Sequence, residues 1–160
     1  MRNILVAFML TFFCTNIISQ SEYPKSIINL GVGFGSNYGF LGIKSIIGYK
    51  NSGLVIGAGT AFGMIEFAIG GQISSKWWYL NIGYGPYGII YDDSIDQKDV
   101  LRGLHVISGA MINLNKSKRL FIEIGLGFAW GASPTKFLGN KVETNLITGE
   151  LGIGYRLGGI

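Results

Sequence analysis

The sequence predicts an all-β fold: an eight-stranded antiparallel up-and-down transmembrane β-barrel, preceded by a cleavable signal peptide. Three observations predict it. Bulky apolar residues recur at every second position through eight segments, the period of a strand rather than the 3.6 of a helix. The face opposite them is mostly glycine and alanine, where a half-buried strand of a soluble protein would carry charge to meet water. The chain is also 48% hydrophobic and only 14% charged, with 26 glycines and a mean hydropathy of +0.38, which is greasier than an ordinary soluble domain. The simplest account inverts the usual plan, with the bulky face toward lipid and the thin face lining a narrow interior.

The 160 residues fit one domain behind a leader. Arg2 supplies a short positive region, residues 4–13 an apolar core, and small or polar residues follow around Ser19 and Gln20, the layout of a secretory signal peptide. The expected division is residues 1–19 as signal and 20–160 as barrel. The apolar run is short for a membrane-spanning helix. Cys14 is the one cysteine and would leave with the leader, so thiol, disulfide and Cys-based metal chemistry are not expected. The net charge of +4 is modest and the basic residues are scattered, which does not suggest nucleic-acid binding.

After Pro24 the segments follow in turn. In residues 29–35, Leu30, Val32 and Phe34 oppose Asn29, Gly31, Gly33 and Gly35. In 41–49, Leu41, Ile43, Ile47 and Tyr49 oppose Gly42, Lys44 and Gly48, with Ser45 and Ile46 as misfits. In 54–62, Leu54, Ile56, Ala58 and Phe62 oppose Gly57, Gly59 and Ala61. In 65–73, Ile65, Phe67, Ile69 and Ile73 oppose Glu66, Ala68, Gly70 and Gln72. In 78–84, Trp78, Leu80, Ile82 and Tyr84 oppose Tyr79, Asn81 and Gly83; Pro86 cannot donate to a ladder and predicts a strand end near it. In 104–114, Leu104, Val106, Ala110, Ile112 and Leu114 oppose His105, Gly109 and Asn113. Residues 120–131, LFIEIGLGFAWG, show the plan most clearly: Leu120, Ile122, Ile124, Leu126, Phe128 and Trp130 against Phe121, Glu123, Gly125, Gly127, Ala129 and Gly131. In 145–157, Ile147, Leu151, Ile153, Tyr155 and Leu157 oppose Thr148, Glu150, Gly152, Gly154 and Arg156.

Each segment is about long enough to cross a bilayer when tilted, and lipid offers no partner for an open sheet edge, so the sheet should close. The bore of an eight-stranded barrel holds side chains and little more. Connections at 49–53, 74–76 and 115–119 are short and polar; those at 87–101 and 132–144 are longer, while 36–39 and 63–64 are short turns on the same side as the long ones. Tyr49, Trp77, Trp78 and Tyr155 belong near the short-turn rim and Phe34, Phe62, Tyr84 and Trp130 near the other, as interfacial aromatics do. A soluble lipocalin-like barrel or β-sandwich would need a more polar exterior. A helical membrane protein conflicts with the two-residue period and with Glu66, Asn81 and Pro86 inside the segments.

The last segment carries Glu150, Gly152, Tyr155 and Leu157 in the order polar, any, Gly, two of any, aromatic, any, apolar. It resembles the C-terminal signal read by the barrel-assembly machinery, and the chain as a whole resembles the small OmpA/OmpX-type outer-membrane barrels of Gram-negative bacteria. One departure is that Gly158, Gly159 and Ile160 follow where that signal normally ends the chain. The resemblance implies residence in the bacterial outer membrane and contact with its lipid and lipopolysaccharide. It also implies delivery by the assembly machinery through residues 150–157, and leaves an extracellular ligand at the loops open. A structural or surface-interaction role without enzymatic activity follows, with no cofactor or metal.

Lys44, Glu66, Arg102, His105, Glu123, Glu150 and Arg156 fall on the inward face or near its outer rim. Charges in so tight an interior must pair or be wetted. Glu123 is expected near Arg156 toward the short-turn end, Glu66 near Arg102 or His105 toward the outer end, and Glu150 and Lys44 near mid-depth. A polar plug that fixes register is the plain reading, and a narrow ion or proton path is the alternative. His105 also raises a lipid-modifying, lipid A deacylase-like activity. The nearest serine, Ser108, is three residues away and should face the opposite side, out of reach as a nucleophile. Asp92, Asp93, Asp96 and Asp99 lack the regular spacing and turn glycine of a calcium loop.

Overall fold

A computed structural model describes residues 26–75, 77–92, 97–134 and 141–157. The expected signal peptide, Cys14, Pro24, Asp93, Asp96 and the residues after Leu157 lie outside the described residues. Eight strands form one closed barrel in sequence order, every neighbouring pair antiparallel. They are β1 (Ser26–Gly35), β2 (Phe40–Tyr49), β3 (Ser52–Ala61), β4 (Met64–Ser74), β5 (Trp78–Asp92), β6 (Gln97–Asn113), β7 (Leu120–Pro134) and β8 (Lys141–Arg156). Closure comes from β1 against β8, in register from Asn29↔Arg156 to Gly35↔Glu150.

The alternation sets which way each side chain points. Leu30, Ile43, Phe67, Ile124, Leu126, Phe128 and Ile153 are exposed on the outer wall, while Lys44, Glu66, Asn81, Glu123 and Glu150 are buried inside. The inner face is less thin than its glycines suggest. Toward the short-turn end Tyr79, Ile107, Met111 and Phe121 pack into an apolar block, and Ile46 and Val55 also point inward and are buried. Ile46, a misfit of its segment, is thus bore filling.

Three expectations about connections are corrected. Residues 36–39 are not a plain turn: Ser36–Tyr38 form a single 3₁₀ turn that drops into the bore with all three residues buried. Gly39 (φ 63°) and Phe40 (φ 74°) then reverse the chain back into β2, and at Gly39 a side chain would also run into the backbone of Gly59 and Glu66. Strand β5 does not end at Pro86. It continues to Asp92 across a β-bulge between Pro86 and Gly88, which absorbs the missing donor. The long connections are therefore shorter than expected, because much of 87–101 belongs to the β5–β6 hairpin and β7–β8 pairing extends to Pro134↔Lys141.

Above the bulge the β5–β6 hairpin leans across the mouth. Val100 packs with Phe40 and Ala61 at the ends of β2 and β3, and the backbone at Gly88 comes against Leu146 of β8. Tyr87, Leu101 and Ala129 make a second apolar contact at that level.

The plug fits because the wall beside it has no side chains. A methyl group at Gly57 would overlap the carbonyl of Asn37, and one at Gly152 would overlap the Tyr38 hydroxyl. Gly57→Ala should therefore destabilise the barrel by ~1–3 kcal/mol through overpacking. Gly71→Ala, where a methyl meets nothing within 4 Å, should leave the midpoint of urea unfolding unchanged.

Candidate functional site: a charged cluster around the plug

The centre of the bore is built from four elements, three strands and the plug. Lys44 projects inward from β2, Glu123 from β7, Glu150 from β8, and Asn37 and Tyr38 come down with the plug. The Lys44 ammonium forms an ion pair with Glu123 Oε1 and lies 3.3 Å from Glu150 Oε2. The Tyr38 hydroxyl donates to the same Glu123 oxygen. Asn37 Nδ2 donates to Glu150 Oε2 at 2.8 Å, and Asn37 Oδ1 lies 2.9 Å from His105 Nε2. The Ser36 and Thr148 hydroxyls share a 2.6 Å hydrogen bond. The ammonium sits 4.8 Å from the centre of the Tyr38 ring and 5.6 Å from that of Tyr79, adding cation–π attraction on two sides.

The cluster holds one formal positive charge against two carboxylates, all three side chains being at most 2% exposed. Lys44 is therefore the group on which the two carboxylates depend. A second pair stands apart: Arg102 donates to both oxygens of Glu66, from Nε at 2.9 Å and Nη2 at 2.5 Å. Glu66 is buried but the Arg102 side chain is 41% exposed, so this pair borders solvent near the mouth.

The seven expected interior residues thus separate into groups. Glu66 meets Arg102, one of its two expected partners, and Lys44 and Glu150, expected only at a similar depth, lie 3.3 Å apart. Glu123 does not pair with Arg156. It reaches across the bore to Lys44, while the Arg156 guanidinium lies 5.8 Å from the centre of the Phe121 ring. His105 does not join Glu66; it is fully buried and bonded to the plug through Asn37. Asn37, Tyr38 and Thr148 were missed as members of the network. Glycines on both sides of 36–38, at 35 and 39, were the available sign of a sharp excursion. His105 points inward while Ser108 is exposed on the outer wall, so the two face opposite sides of the sheet. Among the described residues no group of three or more His, Cys, Asp or Glu side chains could hold a metal ion.

The fold and cluster define a closed up-and-down barrel whose bore is filled by its own side chains and an inserted turn. Comparison with protein-family models, characterised proteins and solved structures found no match to this chain.

Lys44→Met should be among the most damaging substitutions, costing ~3–5 kcal/mol because it strands two buried carboxylates. Glu150→Gln should cost clearly less, since it removes the surplus negative charge and keeps an acceptor for Asn37. Urea midpoints for the two variants should differ in that order. Glu66→Gln should cost only ~1 kcal/mol, because its partner is solvent-screened.

Proposed function

We propose that this chain is an outer-membrane barrel protein of a Gram-negative bacterium, with a structural or surface-interaction role in the envelope and no enzymatic activity. The observation that carries this reading is the outer wall. Ile65, Phe67, Leu126, Phe128 and Ile147 are each 67–75% exposed, and they belong to a belt of large apolar side chains around the barrel. Water does not tolerate a continuous patch on that scale, whereas hydrocarbon does. The leader-like residues 1–19 and the assembly-signal pattern at 150–157 supply a route to that membrane. Lipid and lipopolysaccharide are then the surroundings of the wall, and the barrel-assembly machinery is the partner during insertion.

The filled bore favours this role over a narrow pore. Tyr79, Ile107, Met111 and Phe121 occupy the short-turn end, the Lys44 cluster the middle, and the β5–β6 hairpin the mouth. The opposed directions of His105 and Ser108 speak against a deacylase-like pair. The two tall hairpins, β5–β6 and β7–β8, are the surfaces best placed to meet an external partner, since loops on a rigid scaffold often bind.

Cell fractionation with gel migration before and after boiling tests the reading. The protein should appear in the outer-membrane fraction and run faster unboiled than boiled. A soluble protein, or one whose migration ignores boiling, would overturn it. In planar bilayers the purified barrel should show no channel openings; a steady conductance would instead favour the pore.

A further inference from the structure

The outer wall is not uniformly convex. A groove of about 540 Å³ crosses β7, β8, β1, β2 and β3, which is on the scale of ligand clefts at ~300–1,000 Å³. Its floor dips where the outward-facing row turns small. Ser45 stands between Leu30 and Ile56 in the pairing, and Ala58 stands opposite Ile43. Its sides are branched aliphatic residues, and its lower end is flanked by the pair Leu120 and Tyr155.

That lower end opens at the short-turn rim, beside the exposed Arg119 that precedes Leu120. The charged residues described in the short turns of this rim are Lys50, Lys116, Lys118 and Arg119, all cationic. The described acidic side chains lie elsewhere: Glu123 and Glu150 in the bore, Glu66 with Arg102, and Asp99 in the β5–β6 hairpin. An apolar channel that ends at a basic rim matches an amphiphile with a hydrocarbon tail and an anionic head.

We propose that this groove is a binding site for an anionic phospholipid, with one acyl chain lying over Ser45 and Ala58 and the phosphate at Lys118 and Arg119. The inference rests on the membrane reading above. The tail gains by filling a dip that a disordered lipid would pack poorly. The head gains from cations next to an anionic group, an attraction that salt weakens.

Native mass spectrometry of the full barrel in detergent tests it, with dioleoyl phosphatidylglycerol and dioleoyl phosphatidylcholine as matched probes. The wild type should retain the anionic lipid about tenfold more than the zwitterionic one, and the preference should fall in high salt. The double variant Lys118→Gln/Arg119→Gln, in an exposed turn, should keep both lipids at the lower level. Ser45→Phe/Ala58→Phe should lose both. Equal retention of the two lipids by the wild type, undiminished retention by the filled groove, or a wild-type dimer that the filled groove abolishes would overturn the proposal. Boiling-dependent migration of each variant reports whether the barrel is folded; its absence in the wild type would count against the membrane reading instead.

Discussion

A cylinder of eight strands encloses a space only wide enough for side chains, so whatever enters must fit everything else inside. Here that constraint converges on the Lys44 ammonium. It answers two carboxylates from adjoining strands, Glu123 on β7 and Glu150 on β8, and lies against the rings of Tyr38 and Tyr79. Tyr38 and Asn37 reach the same carboxylates from the plug. Slipping β2 by one residue would turn Lys44 outward and leave both carboxylates without a cation. The cluster therefore fixes how residues about a hundred positions apart are aligned, beyond any net stability it contributes.

The bore divides into three levels that depend on one another. The apolar block of Tyr79, Ile107, Met111 and Phe121 excludes water from the short-turn side. The hairpin contacts of Val100 with Phe40 and Ala61 cover the other side. Between them the dielectric is low, which strengthens the ion pairs and raises the cost of leaving any member unpaired. The small residues of the inner face make room for the plug: Gly57 and Gly152 stand where Asn37 and Tyr38 pass closest to the wall.

Which residues face in and which face out was legible, because a period of two leaves only two choices and the bulky set could not fit inside. Ile124 and Gly125 show it in adjacent positions. Contacts near the mouth were legible in part, as Glu66 on β4 and Arg102 on β6 show across the intervening β5. Contacts across the bore were not. Glu123 and Arg156 looked close by depth, yet Glu123 faces Gly152 in the register and Arg156 faces Asn29 at the β1 seam. The Lys44 partnership depends on how the closed sheet is sheared, which no local pattern encodes. The plug was missed because four residues between two strands read as an ordinary turn. Pro86 misled because its missing donor argues for a strand end, yet it keeps its place opposite Arg102 and the register shifts just after it, at Tyr87, as prolines beside bulges do.

On the proposed membrane placement, the outer belt cannot be what holds the strands together, since lipid tails are as apolar as leucine and burying one in the other gains little. Cohesion must then come from the closed backbone ladder and from the interior. The ladder is nearly sequence-blind and would serve any register equally well, because every strand offers the same donors and acceptors. The interior is the part that distinguishes one register from the next. A barrel whose outer face is adapted to lipid thus concentrates its structural specificity in the few polar groups around Lys44, and the inversion of the usual inside and outside is also an inversion of where the sequence information for the fold is stored.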